Sequence, residues 1–198
     1  MMYCYLNGEI VPQSEARIGI TDLTLLRGHG VFDYFVFDEY GPRFLDDYLN
    51  RFFNSAAHLH LQSPVSKAEL RQGVYDLIAA NKEEEGGIRL VLTGGYADDS
   101  YTPTIGNMII LQAPFPRVPK KRYETGARVA TFEHQRELPL AKSLSYMTGI
   151  KLLPWLKEKD AHYPLYHDGT YLRESDRSNF FIVGSAGQLI TSKDQILN

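Results

Sequence analysis

The sequence predicts an α+β fold in two domains, and three features of the 198-residue chain support this. Its first half alternates β-branched or aromatic runs with two segments of helical apolar spacing. The stretch Ala113–Lys121 then interrupts the pattern with three prolines, which is the composition of a linker. The last part contains one helical segment and several short strands. We therefore expect domains at residues 1–115 and 123–198, joined by a linker at residues 116–122.

The first domain begins with a predicted β-hairpin. Tyr3–Leu6 and Glu9–Val11 read as strands, and Asn7-Gly8 between them is a strong signal for a two-residue turn. The loop Arg27–Gly30 is expected to be flexible. Further strands are expected at four segments with apolar or aromatic composition: Val31–Phe37, Arg43–Leu45, Ile88–Thr93 and Met108–Gln112.

Two amphipathic helices are expected between these strands. Asp46 or Asp47 can cap the first helix, which runs to about Leu59 with apolar residues at helical spacing. Ser66 and Glu69 form a capping box for the second helix, which runs to about residue 81.

The second domain is predicted to contain few elements. Leu144–Glu158 is expected to be mostly helical, with Pro154 bending or dividing the helix. Short strands are expected at Ala127–Phe132, Tyr163–Tyr166, Tyr171–Leu172, Phe180–Val183 and Gln188–Thr191. So little cover leaves strand edges and an apolar face exposed, so either another chain or further sequence is expected to cover them.

Composition narrows the class of protein. The net charge of −3 gives no reason to expect a nucleic acid or an acidic membrane surface as partner. Cys4 is the single cysteine, so an intrachain disulfide is impossible and a reducing compartment, the cytoplasm, is expected. The first residues lack the pattern of a secretion signal, and no apolar run approaches the ~18 residues that span a membrane.

Several other chemistries are disfavoured. Gly28-x-Gly30 lacks the rest of a dinucleotide fingerprint, and the stretch Gly184–Gly187 has the wrong spacing for a nucleophile elbow. His58 and His60 point to different sides of a helix, so they cannot easily share a metal ion. We expect no metal site.

The candidate chemistry lies in the stretch Arg136–Phe181. Lys142 stands in a short apolar run, whose neighbours desolvate the amine and favour its nucleophilic form. Tyr146 follows at once, and Glu174 lies in a polar turn further on. Amine, phenol and acid are the groups that hold a pyridine-aldehyde cofactor, through its aldehyde, ring oxygen and ring nitrogen respectively. Arg51, on the first helix, is a candidate phosphate clamp.

Each of these residues also has an ordinary interpretation. A lysine or an acid in a turn is usually a solvated charge, and an arginine on a helix usually lies on its surface. Lys151 has apolar neighbours like those of Lys142 but sits within a helix, where a lysine extends its amine to water, so it serves as an internal comparison.

The joint pattern resembles the class IV aminotransferases, the fold-type IV pyridoxal-phosphate (PLP) enzymes. This family includes branched-chain aminotransferases, D-amino-acid aminotransferases and aminodeoxychorismate lyase. The resemblance covers essentially the whole chain and rests on seven motifs in order: Tyr5–Gly8; Asp22 with Gly28–Phe32; Asn50–Phe52 with Ser55-Ala56; Ile88–Thr93; Lys142–Tyr146; Glu174 with Asn179-Phe180; and Leu189–Thr191 with Ile196-Leu197.

The resemblance implies a role for each candidate residue. Lys142 matches the lysine that bonds the cofactor covalently and then moves the substrate proton. Glu174 matches the acid that keeps the pyridine nitrogen protonated, and Arg51 matches the arginine that binds the phosphate. Tyr146 matches a tyrosine near the ring oxygen, and Asn179 a position that shapes the turn around Glu174.

The resemblance also implies a fold, an assembly and a set of departures. A small α/β sandwich domain is expected to precede a partial pseudo-barrel, in a homodimer with active sites between the domains. His29, Asp33 and Ser145 stand where the family commonly has Asp, Glu and Asn. Family members usually continue past the position of Asn198 with a phosphate-binding Gly-Ile-Thr-Arg segment, so the second domain is expected to be incomplete.

The expected function is a PLP-dependent aminotransferase that acts on amino acids and 2-oxo acids. A branched-chain L-amino acid is the first expectation for the donor, and a D-amino acid follows closely. Two alternatives remain open at this point. One is a lyase that releases pyruvate from aminodeoxychorismate, and the other is an inactive, truncated relic that persists as a dimeric binding protein.

Overall fold

The computed structural model describes residues 2–197, which divide into two compact units. The first unit contains the described residues up to Arg117 together with Ala141–Ser145, and the second contains Val118–Leu140 and the described residues from Tyr146 onward. The chain therefore divides within the proline-rich stretch. The sequence-based boundary assigned Ala141–Ser145 to the second domain, but backbone pairing with a strand of the first unit holds this segment there.

The first unit is built on one sheet in which every strand pairing is antiparallel. In chain order its strands are β1 (Tyr3–Leu6), β2 (Glu9–Pro12), β3 (Gly30–Asp38), β4 (Gly41–Pro42), β5 (Gly86–Thr93) and β6 (Met108–Ala113). Their order across the sheet is β2-β1-β6-β5-β3-β4, so β3 lies next to the edge strand β4.

The turns of this sheet partly match the sequence-based expectation. The hairpin at Asn7-Gly8 is confirmed: both residues have positive φ, 52° and 107°, as a tight two-residue turn requires. The predicted strand Arg43–Leu45 is wrong, because the chain pairs back with β3 at Gly41 and Pro42 and then enters a helix at Leu45.

Three helices belong to the first unit: α1 (Leu23–Arg27), α2 (Leu45–His58) and α3 (Lys67–Asn81). The capping box of α3 is confirmed, since Ser66 Oγ accepts from the amide of Glu69 at 3.2 Å and the Glu69 carboxylate accepts from the amide of Ser66 at 2.7 Å. The predicted cap of α2 is wrong. Phe44 occupies the N-cap position, and Asp46 and Asp47 lie in the first turn, where carboxylates favour the helix dipole.

Helix α1 was not predicted. Asp22 caps it by accepting from the amide of Thr24 at 2.8 Å, and Gly28 ends it with φ of 67°. The other carboxylate oxygen of Asp22 accepts from Thr93 and Asn107 at 2.7 and 2.8 Å, so a long-range buried network holds this short helix. The spacing of apolar residues along the chain does not show hydrogen bonds between distant residues. For that reason the sequence indicated only a loop here.

The core of the first unit forms where α2 and α3 pack on the sheet. Alternate residues of β3, Val31, Phe35 and Phe37, are at most 1% exposed and share a cluster with Leu49 and Phe52 of α2. This alternation fixes which residues of β3 face the helices and which face the opposite side of the sheet.

The second unit has two small sheets. Its elements are α4 (Lys120–Thr125), β7 (Val129–Glu133), α5 (Met147–Lys151), α6 (Leu153–Glu158), β8 (Tyr163–His167), β9 (Leu172–Ser175), β10 (Phe181–Val183) and β11 (Leu189–Thr191). Strand β8 pairs in parallel with β7 and antiparallel with β9, while β10 and β11 form a separate hairpin.

The helices of this unit differ from the prediction in detail. The division of the predicted helix at Pro154 is confirmed, because α5 ends at Lys151 and α6 begins at Leu153. A short helix, α4, forms where only a linker was expected. None of the helices within residues 2–197 is both long enough and apolar enough to cross a membrane.

Candidate active site

The segment that carries Lys142 is joined to the start of β3 by an isolated antiparallel bridge between Ser143 and Val31. The amide of Phe32 donates to the carbonyl of Lys142 at 3.0 Å, and the amide of Leu144 donates to the carbonyl of Gly30 at 3.0 Å. Helical structure begins only at Met147. Two backbone hydrogen bonds to β3 therefore hold the chain at the carbonyl of Lys142 and at the amide of Leu144.

Helix α2 provides a further contact to this segment. The amide of Lys142 donates to Ser55 Oγ at 3.0 Å, and Ser55 is fully buried on α2. Ser55 lies one helical turn after Arg51, so both residues belong to the same side of α2. Sequence reasoning included Ser55 in a family motif but assigned it no role; a serine among the apolar residues of a helix face is the signal that could have identified it.

The amine of Lys142 lies over an aromatic ring of β3. Its Nζ atom is 4.9 Å from the ring centroid of Phe32. Arg89, on β5, places its guanidinium carbon 5.6 Å from the same centroid and 5.9 Å from that of Tyr34. Lys142 is half-buried and Arg89 is exposed, so two cations meet at one aromatic ring on one face of the sheet.

Arg51 is held by a buried carboxylate. Its Nε and Nη2 atoms donate to the two oxygens of Asp33 at 2.9 and 2.7 Å, and the side chain of Asp33 is 0% exposed. The guanidinium also lies 5.0 Å from the ring centroid of Tyr48. Arg51 is thus fixed in one orientation, and its side chain is 28% exposed to solvent.

Strand β3 links the two candidate residues of the first unit. Phe32 contacts Lys142 and Asp33 contacts Arg51, and consecutive strand residues point to opposite faces. The structure therefore brings Lys142 and Arg51 to the same end of β3, one on each side of the strand.

Glu174 lies in the second unit and is 5% exposed. The sequence placed it in a turn, and this is wrong: it belongs to β9, because antiparallel pairing with β8 continues to Ser175. Oε1 of Glu174 accepts from Arg136 Nη1 at 3.0 Å, and Oε2 accepts from the amide of Leu197 at 3.4 Å. Asn179 donates to the carbonyl of Leu197 at 3.1 Å, so it fixes the segment next to Glu174.

Tyr146 is the fourth candidate and immediately precedes α5, where it is half-buried. Its environment includes Tyr166 of β8, which is 3% exposed. Burial is the largest cause that raises the pKa of Tyr166 to about 12; the nearby Asp176, Glu174 and Tyr146 act in the same direction and Arg136 acts in the opposite one. Tyr146 and Glu174 therefore share a neighbourhood around the neutral phenol of Tyr166.

These groups fit the chemistry of a phosphorylated pyridine aldehyde. The first unit contains the amine of Lys142 and the oriented guanidinium of Arg51. The second unit contains the phenol of Tyr146 and the buried carboxylate of Glu174. Oε2 of Glu174 makes a long contact, 3.4 Å, with the amide of Leu197. Within residues 2–197, no group of three or more His, Cys, Asp or Glu side chains is arranged to hold a metal ion.

Comparison with solved structures identifies the fold. The branched-chain aminotransferase of the archaeon Thermoproteus uzoniensis, solved with norvaline, superposes with a TM-score of 0.86 at 24% identity, over 99% of this chain and 70% of that one. A hypothetical aminotransferase from Mycobacterium tuberculosis in its PLP-bound form superposes with a TM-score of 0.81 at 21% identity, over 99% and 73%. The mixed α+β fold is therefore that of fold-type IV aminotransferases.

Sequence relatives agree with this class. The chain is 29% identical over 194 residues to a protein assigned as a branched-chain-amino-acid aminotransferase of Methanocaldococcus jannaschii, covering 92% of this chain and 65% of that protein. It is 27% identical over 189 residues to the D-alanine aminotransferase of Staphylococcus haemolyticus, covering 92% and 66%. The chain thus spans about two thirds of the length of these relatives.

The family itself is defined by a direct match. The amino-transferase class IV family matches residues 30–198, which is most of the chain. The protein belongs to the class IV aminotransferases, as the motifs from Tyr5 to Leu197 indicated.

Proposed function

We propose that this chain is the lysine-bearing part of a PLP-dependent aminotransferase, which transfers an amino group from an amino acid to a 2-oxo acid in ping-pong order. The observation that carries the proposal is the fixation of Lys142. Hydrogen bonds to Phe32 and Ser55 hold its backbone, a bond from the Leu144 amide to Gly30 holds the segment that follows, and its amine extends over the ring of Phe32. A nucleophilic amine needs this combination of a rigid base and an accessible, partly desolvated end.

Each candidate residue takes one task in this proposal. When bound, PLP supplies an electron-accepting ring that makes the Cα proton of an amino acid easier to remove. Lys142 holds the aldehyde carbon and moves that proton. Glu174 holds a proton at the ring nitrogen, Arg51 binds the phosphate, and Tyr146 donates to the ring oxygen.

Arg89 extends this set toward the substrate. It is exposed and shares the Phe32 ring with the amine of Lys142, so the carboxylate of an amino acid bound at that amine meets a guanidinium. We infer that Arg89 binds this carboxylate. A branched-chain L-amino acid is the first candidate donor and D-alanine the second, in keeping with the names of the two relatives.

Cofactor titration tests the proposal. Purified native chain, Lys142→Ala and Lys151→Ala are titrated with PLP and followed by visible absorbance. We expect a saturable band in the native chain and in Lys151→Ala but not in Lys142→Ala. Borohydride reduction followed by peptide mass spectrometry then locates the bond at Lys142. A label on Lys151, or equal labelling of many surface lysines, contradicts the proposal.

The same preparations separate the two alternatives. Pyruvate released from aminodeoxychorismate without an acceptor acid indicates the lyase. A folded chain with no saturable PLP binding indicates a relic that binds partners without catalysis. Amino-group transfer from L-leucine or D-alanine to a 2-oxo acid supports the aminotransferase and decides between the two donors.

A further inference from the structure

Two ion pairs described in the second unit have both side chains largely removed from solvent: Arg136–Glu174, and Arg173–Asp168 with side chains 17% and 18% exposed. Glu174 is the more buried of the two carboxylates. The side chain of Arg136 is 18% exposed and that of Glu174 is 7% exposed, and Nη1 lies 3.0 Å from Oε1. The pairs Arg128–Asp160 and Arg177–Asp176 each contain a side chain at least 60% exposed to solvent. Sequence reasoning assigned Arg136 no role.

Burial gives this pair its physical significance. A carboxylate removed from water is costly unless a cation or several hydrogen bonds replace its hydration. Arg136 supplies the cation at Oε1, while the contact at Oε2 is the long one to the amide of Leu197, 3.4 Å. Arg136 therefore fixes one oxygen and leaves Oε2 as the better acceptor for an incoming donor.

The neighbouring groups strengthen this role. Tyr166 from β8 faces the same region, and Asp176, Glu174 and Tyr146 all oppose ionisation of its phenol. Among the charged side chains that act on Tyr166, Arg136 is the cation. It also acts on His134, whose pKa is lowered first by burial and then by the charge of Arg136.

We propose that Arg136 is a positioning residue that balances the buried charge of Glu174 and directs its Oε2 toward the position of the cofactor ring nitrogen before the cofactor binds. The inference rests on the proposed function for the identity of the ring. Its electrostatic part concerns the chain without cofactor and can be tested separately.

The experiment uses the cofactor-free chain and four variants. Arg136→Gln removes the cation, Arg136→Lys retains a charge, and the double variant Arg136→Gln/Glu174→Gln identifies the infrared C=O band of a protonated Glu174 by its loss. Arg173→Gln is the matched control, because Arg173 is 17% exposed and pairs with Asp168 in the same unit. We expect a protonated-carboxyl band at neutral pH in Arg136→Gln, but none in the native chain, in Arg136→Lys or in the control.

Two further readouts accompany the band. The pKa of His134, followed by NMR, should rise in Arg136→Gln toward the ordinary histidine value, because a neighbouring positive charge is removed. The dissociation constant for PLP should increase by about ten- to a hundredfold, the equivalent of one charge-assisted hydrogen bond. Neither value should move in Arg173→Gln.

The outcomes are distinguishable. If the His134 pKa rises in Arg136→Gln as expected but no carboxyl band appears, the proposal is overturned, since the charge of Arg136 is then shown to reach His134 but not to control Glu174. If the native chain binds no PLP while the band behaves as expected, the proposed function fails and the charge role remains. If Arg136→Gln does not fold, the double variant Arg136→Gln/Glu174→Gln decides: recovery of folding supports the proposal, and failure to fold overturns it.

Discussion

At the scale of single residues, two buried ion pairs perform opposite tasks. Asp33 is a fully buried carboxylate that orients the guanidinium of Arg51 through two hydrogen bonds. In the second unit a guanidinium, Arg136, orients the buried carboxylate of Glu174. Arg51 and Glu174 are the residues proposed to contact the cofactor. Sequence reasoning assigned no role to the partners that hold them, Asp33 and Arg136.

The proposed role of Arg89 gives a kinetic prediction at this scale. Arg89→Gln should raise KM for amino acid donors by about ten- to a hundredfold, since a charge-assisted contact to the substrate carboxylate is lost. Its kcat should change less, because Arg89 does not hold the reacting atoms. Steady-state kinetics with the donor identified by the screen provide the measurement.

Two comparisons make this prediction specific. Arg89→Lys keeps the positive charge and should recover part of the affinity, whereas Arg71→Gln, on α3, should leave KM unchanged. An unaltered KM in Arg89→Gln would show that the carboxylate is bound elsewhere.

At the scale of elements, the packing of α3 on β1 depends on one glycine. A Cβ atom at Gly73 would lie 2.6 Å from Cε2 and 2.9 Å from Cδ2 of Tyr5, whose ring is buried against the helix. Real Cβ atoms do not approach other atoms this closely, so the helix and strand are in contact because position 73 has no side chain.

Gly73→Ala should therefore destabilise the chain although alanine is the better helix former. The propensity gain is about 1 kcal/mol, and overpacking against a buried ring costs about 1–3 kcal/mol, so the clash is expected to prevail. Denaturant unfolding measures the difference. Gln72→Ala, on the exposed side of α3, should change stability by no more than about 0.5 kcal/mol. A stabilised Gly73→Ala would mean that Tyr5 can move aside.

At the scale of the whole molecule, the β10–β11 hairpin exposes an apolar surface. Phe181, Val183 and Leu189 are 64–70% exposed, which is unusual for large apolar side chains next to one another. The resemblance implies a homodimer, and a shared interface would remove such surface from water.

We predict that the chain associates in solution, with a homodimer as the main species. Light scattering after size exclusion, over a range of concentrations, gives the mass directly. Leu189→Lys should shift the equilibrium toward monomer if the hairpin is part of the interface, whereas Tyr123→Lys, on α4, should not. A monomer at every concentration contradicts the prediction, and higher aggregates without a dimer indicate non-specific association.

Much of the fold could be predicted because its signals are local. The hairpin at Asn7-Gly8, the capping box at Ser66 and the break at Pro154 each follow from the chemistry of neighbouring residues. Helix α1 and the β9 location of Glu174 could not be predicted, because a buried network around Asp22 and pairing with β8 decide them. Patterns of neighbouring residues do not show which distant segments come into contact.

The sequence by itself determined the family, the α+β class and the four candidate residues, since ordered motifs and residue chemistry are properties of the chain. Only the tertiary structure decided how these residues are held. It placed Lys142 in a segment bridged to β3, paired Arg51 with Asp33, and paired Glu174 with Arg136. The physical reason is that burial, which makes an unpaired charge costly, arises only when distant segments pack together.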